Sequence, residues 1–535
     1  MRPTYKYLLI GGSILLALIL GTGFYANSQI EPTAKAYVEN TLARKFGGDV
    51  ELSRVGINLL AGPVITAHDV KLRHRGRTDV PPLIQFKKLT IRTSFRGLTS
   101  SPRKVHELEF QGLEITVPPK RDATGDVIAP PPPYQPAQAR TNVPDFLIEQ
   151  VKADDTVLKV LPRQSWREPL QWDLHKLKLQ SVGLSKPMEY EATLRNAKPP
   201  GDIKTKGKFG PWNPDDAGQS FVEGEYEFRN ADLSVFNGIA GMLSSDGKFT
   251  GALERLDVRG TTDTPDFRLD SSGNRVPLKT EFHAIVDGTS GDTLLEPVKA
   301  QLGSTWLYCQ GGVTGKQGVK GKTVDLNVSV TRGKIDDILR LAVRSKPAMS
   351  GAMTMRARLV IPPGKRPIVD KMRLAGRFDM DRVSFSSPEI QAKINEMSQR
   401  ARGKHEAEPE RVASQFDGNF QIGEGVIKLD RMTFEVPGAM VLIAGSYGMR
   451  SEQIDMQGKL RMQARVSQTM RGWKSLLLKA ADPFFAKDGA GAVIPISISG
   501  SRDQPKFGLN LRGKSDKDKP SEAKSEEVRA RKKPA

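Results

Sequence analysis

Beyond position 50, hydrophobic and polar residues alternate with a period of two over short runs. Val55, Ile57 and Leu59 alternate with polar neighbours, the pattern resumes from Val64 to Leu72, and it recurs at Leu89 with Ile91 and at Leu108 with Phe110. Gly62-Pro63, Pro81-Pro82 and Gly112 separate these runs, so they predict short strands joined by turns. Similar runs start again at Phe146 and continue almost to the end, as in Phe221-Val-Glu-Gly-Glu-Tyr-Glu-Phe228 and Val324-Asp-Leu-Asn-Val-Ser-Val330. One strand-turn-strand phrase occurs twice, in Val258–Phe267 and Ile498–Phe507, as aliphatic-x-Gly-Ser/Thr-x-Asp-x-Pro-x-Phe. Its glycine is expected to take a left-handed turn and its proline to lead the chain into the next strand. Repeated punctuation of this kind suits a sheet that grows by adding strands.

Helical periods are few. Ala34, Val38, Leu42 and Phe46 recur every fourth residue ahead of Gly47-Gly48. A second helix is predicted over 387–403, with Ser387 as N-cap, Pro388 in the first turn and an apolar face of Ile390, Ile394, Met397 and Ala401. A third spans 467–482 and stops at Pro483. Its face of Met470, Trp473 and Leu477 would pack on a sheet edge or touch a membrane or partner. Residues 120–144 include Pro130-Pro-Pro-Pro133, which excludes a central strand and predicts an exposed extended loop.

The first residues follow a different rule. From Tyr7 to Ala26 the chain carries no charge, and Leu8, Leu9, Ile10, Ile14, Leu15, Leu16, Leu18, Ile19, Leu20 and Phe24 make it apolar enough for a helix that crosses a bilayer. The rival reading is a cleaved signal peptide, with Arg2 and Lys6 before the apolar run and Ala26-Asn-Ser28 after it. Both readings export the rest of the chain. The expected organisation is 1–6 as a cytoplasmic end, 7–26 as a transmembrane helix, 27–119 as a helix followed by strands, 120–144 as the proline-rich loop, and 145–407 as the central β region. A C-terminal β region over 408–512 and a charged tail over 513–535 complete it.

Composition narrows the chemistry. At 535 residues with 38% hydrophobic content, the chain is thinly cored and too long for a single small catalytic domain, so an extended or multi-part chain is expected. Its formal charge is +20, of which the tail from Lys514 supplies little. Nucleic acid would require basic clusters interleaved with aromatics or a reading helix, and neither occurs. The lone Cys309 excludes an internal disulfide and any cysteine metal cluster. The six histidines never stand four apart, so no metal site and no cofactor is expected. Gly321-Lys-Thr323 lacks the glycine a phosphate loop needs five positions earlier. Ala444-Gly-Ser-Tyr-Gly448 lacks the first glycine of a nucleophile elbow, so Ser446 reads as turn punctuation. Asp287-Gly-Thr-Ser-Gly-Asp292 lacks the alternating ligands of a calcium loop and reads as a hairpin turn. No catalytic residue is assigned, and the chain is not expected to be an enzyme.

Two regions resemble the AsmA family of envelope proteins, which also includes TamB-like proteins and larger bridge-like lipid transporters. The first comprises the membrane helix, Lys45-Phe-Gly-Gly-Asp-Val-Glu-Leu52, Ala61-Gly-Pro-Val-Ile-Thr-Ala-His-Asp-Val-Lys-Leu72 and the paired strands around Leu89 and Leu113. The second comprises Gly418-Asn-Phe-Gln-Ile-Gly-Glu-Gly-Val-Ile-Lys-Leu429, Val436-Pro-Gly-Ala-Met-Val-Leu-Ile-Ala-Gly-Ser-Tyr447, Ile494-Pro-Ile-Ser-Ile-Ser-Gly500 and Pro505-Lys-Phe-Gly-Leu509. These are strand and turn patterns with no catalytic signature.

The resemblance implies a mainly β fold: an elongated, curled antiparallel sheet forming an open hydrophobic groove, with an N-terminal transmembrane helix and few short helices. It implies a bacterial inner-membrane protein, single-pass, with its bulk in the periplasm, that carries phospholipid or another lipid for outer-membrane biogenesis. An assembly factor for outer-membrane proteins is the alternative. Expected partners are membrane lipids, the inner membrane and envelope-assembly proteins. Expected groove residues are Leu59, Leu72, Leu89, Ile91, Phe110, Leu326, Val328, Ile427, Leu429, Ile496 and Ile498. The alternating pattern independently demands that one sheet face hide apolar side chains, by curling or by binding something apolar.

Overall fold

In the computed structural model, residues 50–58, 62–73, 81–100, 103–117, 146–161, 169–182, 187–211, 217–316, 318–402, 412–465, 491–501 and 504–509 are described. Nearly all of them belong to one sheet of 25 strands. The strands follow one another across the sheet in chain order, with two doublings: Val50–Glu51 and Arg54–Asn58 both lie beside Val64–Leu72, and Arg103–Gln111 and Glu114–Val117 both lie between Ile84–Thr93 and Phe146–Val160. Pro505–Leu509 ends the series beside Ala492–Ser501. At about 4.8 Å per strand, the sheet follows a path of roughly 110 Å. The expected regions 145–407 and 408–512 are joined within it, because Arg373–Phe385 hydrogen-bonds to Ser414–Gly423.

The pairing is antiparallel with one exception. Phe146–Val160 runs parallel to Arg103–Gln111 and Glu114–Val117. Parallel neighbours need a long crossover rather than a hairpin, and the proline-rich segment stands between them in the chain. That segment, the expected membrane helix at 7–26, the Ala34–Phe46 helix, the 467–482 helix with Met470, Trp473 and Leu477, and the tail all lie outside the described residues. No helix among the described residues is long and apolar enough to cross a membrane.

Period-two alternation sorts the side chains. In Phe221–Asp232, Val222, Gly224, Tyr226 and Phe228 occupy one face, and Glu223, Glu225, Glu227 and Arg229 the other. On the polar face, Lys178, Glu191, Lys206, Glu225 and Lys248 stand directly opposite one another across five strands with alternating sign. Lys206 and Glu225 approach to 2.9 Å. So exposed a pair stabilises little, but a one-residue slip would move this charged ladder onto the apolar face, so the pattern fixes register.

The N-terminal strands close a compact core of their own, with Ile65, Leu89, Ile91, Val105, Leu108 and Ile148 almost fully buried. Farther along, helices cover one end of the apolar face, whereas the alternating pattern alone suggests a sheet without covering helices. Helix α1 is Phe95–Thr99, α2 is Ile335–Ala342, α3 is Ile368–Lys371 and α4 is Pro388–Ala401. Ile335, Ile338 and Leu339 of α2 pack on Met353, Met380 and Phe416. In α4 the expected capping holds, since the Ser387 hydroxyl accepts from the Ile390 amide at 3.4 Å. Ile394, Met397 and Ala401 pack against Val436, Ala439 and Met462, while Ile390, expected on the same face, is exposed.

Two turn assignments change. Ser446 lies inside the strand Ala439–Gly448, opposite Lys428 and Asp455. Gly260 of the first repeat sits inside the strand Arg255–Thr264, opposite Gly247 and Phe282, so the chain turns only after Thr264. In the second copy Gly500, with φ +99°, does stand beside the turn into Pro505–Leu509. Asp287-Gly-Thr-Ser-Gly-Asp292 is the hairpin turn expected. The Asp287 carboxylate accepts from the Thr289 and Ser290 amides and hydroxyls.

Candidate functional site: the apolar face

Directly opposed residues of a pleated sheet share a face, so the register can be followed from strand to strand. One row runs Gly311, Leu326, Leu359, Leu374, Ile422, Ile427, Tyr447 and Ile454. Beside it runs Cys309, Val328, Ala357, Gly376, Phe420, Leu429, Gly445, Met456 and Ile498. Six of the expected groove residues, Leu326, Val328, Ile427, Leu429, Ile496 and Ile498, thus share one face, and all six are half-buried. Helices α2 and α4 cover its Met353 and Ala439 end. The row from Leu326 to Ile454 lies toward the opposite strand ends.

The N-terminal candidates have a different setting. Leu72, Leu89 and Ile91 are 5%, 0% and 0% exposed. Phe110 packs edge-to-face on Phe86 with ring centroids 5.1 Å apart. Leu72, Leu89 and Ile91 are committed to a closed core, which removes them from any lipid-facing surface, whereas Phe110 is partly buried at its edge. Leu59 lies outside the described residues.

Period-two reading by itself misses Leu359, Leu374, Ile422, Tyr447 and Ile454, which complete the row, and a line of glycines on the same face. Gly207 and Gly224 are directly opposed, as are Gly247 and Gly260. A β-carbon at Gly207 would overlap the carbonyl oxygen of Glu223, and one at Gly376 would overlap that of Arg356. The strands therefore approach more closely here than a side chain permits, as strands do where a sheet bends. The rings of Tyr190 and Phe249 come over Gly224. The readable signal is a glycine in an inward position between charged residues, as in Lys206-Gly-Lys208 and Glu223-Gly-Glu225.

Polarity changes along the face. Tyr226 and Ser245 hydroxyls lie 3.1 Å apart, and those of Thr262 and Thr280 2.7 Å apart. From Leu326 to Ile498 the face is aliphatic, aromatic and sulfur-bearing. Burial raises the Tyr190 and Tyr226 pKa values and pushes the Cys309 thiol up to about 11. A recess of about 940 Å³ lies elsewhere, lined mainly by polar-face side chains such as Lys178, Glu191, Lys206, Glu225 and Lys248. Its walls are largely the charged ladder already described, in which Lys206 and Glu225 form an ion pair, with Tyr190 and Phe249 at its floor of glycines. No group of three or more metal-ligating side chains comes together among the described residues.

Searches of family models, curated proteins and solved structures found no match to this chain.

Proposed function

We propose that this chain is a non-enzymatic lipid carrier, held at a bacterial inner membrane by its first residues, whose sheet conducts phospholipid or a similar lipid through the periplasm toward the outer membrane. The AsmA-like strand patterns motivate the cellular setting. The observation that carries the reading is the in-register row from Leu326 through Leu359, Leu374, Ile422 and Ile427 to Ile454, half-buried throughout. An apolar strip of this kind favours acyl chains by about 0.8 kcal/mol for each CH₂ removed from water, enough to hold a lipid without covalent chemistry. Charged residues on the other face keep that side in water.

Native mass spectrometry of the full chain, extracted in a non-ionic detergent, tests the proposal. Stoichiometric bound lipid is expected, and replacement of Leu326, Leu374 and Ile427 by Asn should remove it while circular dichroism stays that of a β protein. A lipid-free, folded wild-type chain that retains an outer-membrane protein would sink the carrier reading and favour the assembly role.

A further inference from the structure

Connections from distant parts of the sheet converge at the Leu359 and Leu374 ends of these rows, where α3 lies against the strand that carries Ile422. The turn at 198–199 joins Met188–Ala197 to Pro200–Phe209, residues 233–241 follow Phe221–Asp232, and residues 362–372 lead from Met349–Ile361 to Arg373–Phe385. The Asn237 carboxamide donates to the Lys365 carbonyl at 2.7 Å, and the Ile368 amide donates to the Asn237 carbonyl at 2.8 Å. Lys198 Nζ stands 5.6 Å from the centre of the Phe236 ring, and Lys371 Nζ donates to the Gly364 carbonyl at 2.7 Å.

The converging connections thus carry three cations, Lys198, Arg366 and Lys371, from chain segments more than 160 positions apart. Lys198, Arg366 and Lys371 make no ion pair with any carboxylate among the described residues. Asp370, the acidic residue of this connection, is taken by Arg450. Partial burial, together with the charges of Arg366 and Lys198, holds the Lys371 pKa below its ordinary value. Gathering like charges costs folding free energy, and a bound anion would offset that cost. Lys371 stands three residues before Leu374, a member of the apolar row that continues to Ile422 and Ile427.

We infer that Lys198, Arg366 and Lys371 form a phosphate site at the rim of the apolar face, filled by the phosphodiester of a phospholipid whose tails lie along Leu374, Ile422 and Ile427. The inference rests on the lipid-binding reading above. Lysine and arginine together suit a phosphate: arginine offers planar paired donors and lysine a point charge.

The test is calorimetric titration of the full chain in non-ionic detergent with three probes: dihexanoyl phosphatidylglycerol, dihexanoylglycerol and inorganic phosphate. Phosphatidylglycerol is expected to bind at least tenfold more tightly than the phosphate-free diacylglycerol. The triple variant K198Q/R366Q/K371Q should erase that difference and leave diacylglycerol binding unchanged, while K371R should keep most of the preference. Equal binding of both lipids by the wild type overturns the phosphate site and leaves the carrier reading standing. Inorganic phosphate that binds as tightly as phosphatidylglycerol keeps the anion site and overturns the lipid as its occupant. Phosphate binding with no uptake of either lipid overturns the carrier reading itself. Unchanged preference in a folded triple variant places the recognition elsewhere and overturns the assignment of these three residues.

Discussion

Asn237 donates its side-chain N–H to the carbonyl of Lys365 at 2.7 Å, although 128 positions separate them. Seven strand pairings lie between Phe221–Asp232 and Met349–Ile361, whose connections these residues occupy. Successive strands rotate by roughly 20 to 25°, so seven steps accumulate a turn of roughly 140 to 175°. That rotation brings the far end of one strand round to the near end of another, and the connections meet across the curl. A second brace lies nearby: the Asn274 carboxamide donates to the carbonyls of Val343 at 2.7 Å and Arg340 at 3.0 Å, and Arg344 Nε donates to the Ser271 carbonyl at 2.8 Å.

Replacing Asn274 by Ala should therefore loosen the curl as well as the loop. The change leaves two carbonyls at the end of α2 without their donor, a cost of about 1 to 2 kcal/mol. Hydrogen exchange should quicken by about tenfold at the α2 amides and stay unchanged in the distant strand Val64–Leu72. Uniform quickening throughout, or none at all, would contradict a local brace.

The glycine line supplies a sharper test of why the sheet can bend. Gly376→Val should destabilise the chain by about 2 to 4 kcal/mol, because the new β-carbon would overlap the Arg356 carbonyl and crowd Ala357. Gly423→Ala, where a β-carbon meets nothing within 4 Å, should change stability by less than about 0.5 kcal/mol. Urea unfolding of both variants decides the matter, since an ordinary strand propensity effect would make Val at 376 neutral or favourable.

Whether a feature is legible in the sequence depends on whether its signal is local. Strands, the capped helix at 388–401 and the Asp287 turn follow from neighbours within a few residues. Gly260 and Ser446 mislead because glycine and serine mark turns in most contexts, and only the pairing of Gly260 with Gly247 and Phe282 places it inside a strand. Helix α2 escapes a periodicity reading by its brevity, although Asp336 and Asp337 in its first turn and the spacing of Ile335, Ile338 and Leu339 carry a weak signal. The parallel junction and the burial of Leu89 against Ile65 and Leu108 arise from long-range packing. Alternation says that a face is apolar, not whether it is closed or open.

That junction should respond to acid. Glu107 pairs with Lys152 and Glu114 with Lys159, each across the two parallel strands. Hydrogen bonds from these lysines hold both carboxyl pKa values below the ordinary range. Folded values lower than unfolded ones contribute stability above about pH 4.5 that is lost as pH falls through the depressed folded values. Wild type should lose stability over that acidic window, and E107Q/E114Q should show a shallower loss with lower stability near pH 7. Equal acid slopes for the two proteins would refute the linkage.

Cys309 can report which residues share the apolar face. Its register partners are Val298 and Val328, and burial lifts its pKa to about 11. At pH 8 the thiolate fraction is then about two orders of magnitude below that of an ordinary cysteine, so iodoacetamide should react about 100-fold more slowly than with the urea-unfolded chain. Val328→Ala removes two methyl groups beside the sulfur and admits water, which should speed alkylation several-fold. Asn327→Ala lies one residue away but on the polar face, so it should leave the rate unchanged. Equal acceleration by both substitutions would mean that Cys309 is reached from the polar side, and the face assignment from Leu326 to Ile498 would fail with it.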